Sequence, residues 1–92
     1  MGWTIDLKLS GPISEDDLDR IVRQIPSRQS WGCSRQPWGW SHDVDISLRS
    51  GGDEVHLSGS FSVSGRIAEL FALALAGLIR VEGYDVAIGE MI

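Results

Sequence analysis

Ninety-two residues with a net charge of −5 leave room for one domain, spanning 1–92, and not for a second core. That acidic balance excludes a general nucleic-acid or anionic-membrane binder, which the overall field would repel, and leaves basic or uncharged partners open. A single cysteine, Cys33, excludes an internal disulfide framework.

The first residues, Met1-Gly2-Trp3-Thr4-Ile5-Asp6, lack the basic region and apolar run of a secretory leader. The longest apolar stretch, 70–79, holds about ten residues, half of what a membrane helix needs. The expected location is the cytoplasm.

Trp3, Ile5, Leu7 and Leu9 alternate with Thr4, Asp6, Lys8 and Ser10, the period of a strand with one buried face. Gly11-Pro12 ends it. Ser14 then suits a helix N-cap, with Asp17 three residues on and Ile13 placed to staple against Leu18. Glu15, Asp16 and Asp17 fall where the helix dipole favours negative charge. Leu18, Ile21, Val22 and Ile25 form one apolar stripe before Pro26 stops the helix.

Residues 26–37 are expected to form a long connection. It holds most of two near-copies of one hexapeptide, Ser27-Arg28-Gln29-Ser30-Trp31-Gly32 and Ser34-Arg35-Gln36-Pro37-Trp38-Gly39. With Arg28 and Arg35 and no acid, the connection is a basic island on an acidic chain. Pro37 and the strand after it constrain only the second copy, so the copies are not expected to be equivalent.

A second alternating run puts Trp38, Trp40, His42, Val44, Ile46 and Leu48 on one face of a strand. Ser50-Gly51-Gly52-Asp53 reads as a tight two-residue hairpin turn, and Val55, Leu57, Gly59, Phe61 and Val63 return on the same face. The implied register sets Leu48 opposite Val55, Ile46 opposite Leu57 and Val44 opposite Gly59, then His42 opposite Phe61 and Trp40 opposite Val63. A helix follows from Ser64-Gly65 to about Glu82, apolar nearly all round, with Gly83 as its stop. Ala68, Ala72 and Ala76 make a small-residue side, with Leu73 in the polar stripe, and these four are the expected self-association residues. Tyr84, Val86 and Ile88 mark a short last strand, the weakest element.

The order strand, helix, strand, strand, helix, strand resembles the ferredoxin-like βαββαβ sandwich. That resemblance implies an α+β fold in which a four-stranded antiparallel sheet carries both helices on one face. It implies no function.

Catalytic readings are weak. Asp45, His56 and Ser58 would neighbour one another on the open sheet face, but a flat exposed sheet offers no water-excluding pocket or oxyanion hole. Asp43, Asp45 and His56 offer metal-ligand types without a metal-ligand spacing. No aromatic residue stands on that face to stack RNA bases. His42, opposite Phe61, reads as a core histidine. Cys33 could be activated by Arg35, but no histidine adjoins it in sequence. No cofactor or metal is expected, and no enzyme.

Trp31 belongs to no strand or helix pattern. It is expected first as a lid folded over the end of the core, and second as part of a recognition loop with Arg28, Arg35 and Trp38, since arginine and tryptophan are enriched at interface hot spots. A chance duplication without a role is the third reading. The leading functional expectation is a non-catalytic protein-binding adaptor or inhibitor using the Arg/Trp loop 27–40, with another protein as partner and a homodimer as its own state. In size and charge it resembles free-standing bacterial immunity proteins and phage-encoded inhibitors. The alternative is a small-ligand sensor or minor enzyme built on a cleft near Cys33, His42 and Trp31.

Overall fold

A computed structural model describes residues 2–60 and 65–92 of the chain. β1 (Gly2–Leu9) buries Trp3, Ile5, Leu7 and Leu9 and turns Thr4, Asp6 and Lys8 to the other side, as its alternation dictates. α1 (Glu15–Val22) starts where Ser14 Oγ accepts the Asp17 N–H at 3.1 Å, and it buries Leu18, Ile21 and Val22. Tighter i→i+3 bonds from Gln24 to Ile21 and from Ile25 to Val22 close the helix. Ile25 precedes proline, which keeps it out of helical geometry.

The second alternating run is not one strand. It folds into β3 (Gly39–Ser41) and β4 (Asp45–Leu48), which pair antiparallel with Trp40 opposite Ile46 and Ser41 opposite Asp45. β2 (Ser34–Gln36) pairs in turn with β3, so that Pro37 and Trp38 are the centre of a hairpin turn rather than a strand start. The reversal occurs at His42-Asp43-Val44, closed by His42 N–H on the Val44 carbonyl at 3.0 Å. The Asp43 N–H is taken by His42 Nδ1 and the His42 carbonyl by the Gln29 side-chain amide, so these backbone groups do not serve a ladder.

β5 (Glu54–Ser60) pairs with β4 in the expected register at Leu48↔Val55 and Ile46↔Leu57. The β4–β5 ladder ends at Asp45↔Ser58, one pair short of the expected Val44↔Gly59, and Trp40 faces Ile46 instead of Val63. Phe61, Val63 and the helix start at Ser64 lie outside the described residues. The β4–β5 turn is looser than two residues. Gly52, at φ 74°, bonds back to the Arg49 carbonyl, while the carbonyls of Gly52 and Asp53 are taken by Ile13 and Leu9.

α2 (Gly65–Val81) buries Ala68, Phe71, Ala72, Leu75, Ala76 and Ile79. β6 (Val86–Ile88) pairs antiparallel with β1, and bonds from Gly89 to Asp6 and between Ile92 and Thr4 carry the chain on along that edge. The result is an α+β fold with two helices and a six-stranded antiparallel sheet, ordered β2-β3-β4-β5-β1-β6. The expectation of four strands is corrected by the β2–β3 hairpin. Trp3, Trp40, Ile46, Leu57 and the inner sides of both helices form one core on a single face of the sheet. Among the described residues no helix is long and apolar enough to cross a membrane.

Candidate functional site: two tryptophan turns

Each copy of the duplicated hexapeptide contains a four-residue turn. In the second copy Gln36 pairs with Gly39 across Pro37 and Trp38. In the first, Gly32 N–H bonds to the Gln29 carbonyl at 3.1 Å, closing a turn over Ser30 and Trp31. Each tryptophan is therefore the third residue of four, followed by a glycine with positive φ, 70° at Gly32 and 151° at Gly39. The two indoles stand out from the protein: Trp31 is 67% and Trp38 52% exposed.

The residues before each tryptophan tie its turn down. Ser27 Oγ–H and the Arg28 backbone N–H both donate to Asp43 Oδ1, at 3.1 and 2.9 Å. Gln29 gives its side-chain amide to the His42 carbonyl. Those bonds lock the first turn onto the β3–β4 reversal. In the second copy, Arg35 Nη2 reaches Glu15 Oε2 at 2.8 Å, and its guanidinium lies over the Trp40 ring at 4.6 Å. Gln36 bonds to Ser34 Oγ at 3.0 Å.

Asp19 of α1 is the hub of that second anchorage. Its Oδ1 accepts the Trp40 indole N–H at 2.7 Å and its Oδ2 accepts Arg23 Nε at 2.9 Å. These two bonds, Arg23 foremost, hold the Asp19 carboxyl below its ordinary value against the opposing effect of burial. Arg23 also donates from Nη1 to the Cys33 carbonyl at 3.1 Å.

Several expected residues fall elsewhere. Trp31 is not a lid, because most of its surface faces solvent. Trp38 leaves the apolar face on which it was placed, because it occupies a turn. Arg28 and Arg35 do lie beside the tryptophan turns, yet neither is a bare charge, since Asp43 lies 3.7 Å from the first and Glu15 bonds the second. Ala68, Ala72 and Ala76 are corrected as a self-association stripe. All three are buried in the core, where their small side chains let the helix pack closely, and only Leu73 of that set is exposed.

Two of the residues named for the alternative cleft, His42 and Cys33, are engaged in other contacts. His42 is 1% exposed and both ring nitrogens are used: Nδ1 accepts the Asp43 N–H at 2.7 Å, so Nε2–H donates to the Ile25 carbonyl at 2.9 Å. Its ring packs on Phe71 at 5.0 Å. Burial pushes the Cys33 thiol up, and the nearby Arg23 only partly opposes that, so the thiolate is disfavoured. Arg35, expected to activate the thiol, is instead drawn to Glu15 and Trp40. On the open face His56 Nδ1 bonds to Asp6 Oδ1 at 2.7 Å rather than joining Asp45, and Asp43 is occupied by the first turn. Among the described residues no three His, Cys, Asp or Glu side chains are grouped to hold a metal.

Asp19 and Asp43 are the anchoring residues that sequence reasoning missed. A signal for the turns was present: glycine at the fourth position of Gln-x-Trp-Gly in both copies, with proline at the second position of one, is turn chemistry. Comparison with protein-family models, with curated proteins and with solved structures finds no significant match to this chain.

Proposed function

We propose that this chain is a non-catalytic protein-binding module, an adaptor or inhibitor of the cytoplasm, that recognises its partner with the paired turns carrying Trp31 and Trp38. One observation carries the reading: the repeated peptide is anchored through Ser27, Gln29 and Arg35 and leaves both tryptophans exposed. Large aromatics held outward on fixed turns fit interface anchors better than cover for a core. We read β4-β5-β1-β6 with α1 and α2 as a ferredoxin-like βαββαβ core, to which the β2–β3 hairpin is added; the sheet order supports that reading. The second copy of the repeat would then be an insertion that serves recognition.

Affinity capture from host lysate tests the function. Wild type should retain a protein that the Trp31→Ala/Trp38→Ala variant loses, with Cys33→Ala retaining it as well as wild type. Equal retention of all proteins by the tryptophan variant would set the reading aside. Loss with Cys33→Ala alone would favour the small-ligand alternative.

A further inference from the structure

At the sheet edge opposite the tryptophan turns, α2 and the C-terminal segment enclose an apolar groove of about 300 Å³. Leu73, Ile88 and Met91 are exposed along it, and Leu70 lies one helical turn from Leu73. Glu69 and Glu90 line the same groove, and neither has an ion-pair partner among the described residues. A groove of this kind takes a large apolar side chain with a cation beside it.

The first tryptophan turn carries that chemistry. Trp31 is exposed, and the side chain of Arg28, three residues earlier, is itself 67% exposed, with Asp43 3.7 Å from its Nε. We propose that the groove between α2 and the C-terminal segment receives the Trp31 turn of a second copy of this chain, with Arg28 meeting Glu69 and Glu90. The proposal rests on the reading of the turns as a recognition surface and names one partner for it.

The contact is heterologous. Groove against groove would bring four unpaired carboxylates together, a like-charge juxtaposition that disfavours the two-fold arrangement. Turns and groove lie at opposite sheet edges, β2 and β6, so each copy offers one of each. Successive copies therefore add head to tail, into a ring or an open chain.

Sedimentation velocity on the full chain tests this, from about 1 μM to about 1 mM. Two variants remove opposite halves of the contact at exposed positions: Trp31→Ala/Trp38→Ala keeps the groove, and Leu73→Glu keeps the turns. Wild type should grow beyond a dimer with concentration, and each variant alone should be weakened at least about 100-fold. An equimolar mixture of the two variants should form a complex of one copy of each and nothing larger.

Three results would overturn the proposal: wild type monomeric throughout, a variant mixture that stays monomeric, or a tryptophan variant that still dimerises while Leu73→Glu does not. The last would mean groove on groove. If wild type is monomeric while the tryptophan variant loses its lysate partner, self-docking fails and the recognition reading stands.

Discussion

Trp40, in the core, gives its indole N–H to Asp19 Oδ1 at the surface of α1. The same carboxylate takes Arg23, so one side chain couples the helix to the hairpin. Asp19→Ala strands the Trp40 N–H and should cost about 1–3 kcal/mol in urea unfolding. In a Trp40→Phe background that cost should fall by about 1 kcal/mol or more, because the donor has gone; an unchanged cost would show that the pair is not coupled. The carboxyl is depressed in the folded state. Its stabilisation is therefore complete above the unfolded value of about 3.9 and is lost as pH falls through the lower folded value. Unfolding midpoints measured from pH 7 downward should place wild type above Asp19→Asn at neutral pH and bring the two together in strong acid.

At the scale of elements, the two glycines that close the turns face different surroundings. Gly32 has open space where a Cβ would go, whereas at Gly39 a Cβ would run into the Ile46 carbonyl on β4. Gly32→Ala should therefore cost only the left-handed strain, about 1–2 kcal/mol. Gly39→Ala should cost clearly more and loosen the β2–β3 hairpin. Equal thermal shifts for the two would refute the close approach of Gly39 to β4. The local rules read β1, α1, α2 and the β4–β5 register correctly, because alternation, capping and stripe all agree there. They could not separate one long strand from the β3–β4 hairpin. In that hairpin Trp40 opposes Ile46, an even separation, so residues of one parity stay on one face through the reversal and the alternation survives. What breaks the strand is Asp43 and His42 bonding to Ser27, Arg28 and Ile25, contacts between segments that no local pattern encodes. The alanine stripe failed for a related reason. Small residues at helical spacing mark a close approach, and only the packed fold says that the approach is to the protein's own core.

Over the whole molecule, the basic island of the loop is met by acids from α1 and the β3–β4 reversal, with Arg28 near Asp43 and Arg35 on Glu15. The exposed aromatic surface, not a positive field, is what distinguishes that edge from the rest of an acidic protein. Among the exposed large apolar groups, Trp31 and Trp38 lie on the side of β2 and β3, and Leu73, Ile88 and Met91 line the groove on the side of β6, while Trp3 and Trp40 fill the core. Four tryptophans thus divide between core and surface, and equilibrium urea unfolding of Trp31→Ala/Trp38→Ala checks that division. Removing two projecting indoles should leave the stability within about 1 kcal/mol of wild type. A loss of about 3 kcal/mol or more is what emptying a core position costs, and it would make these residues cover for the fold instead of a recognition surface.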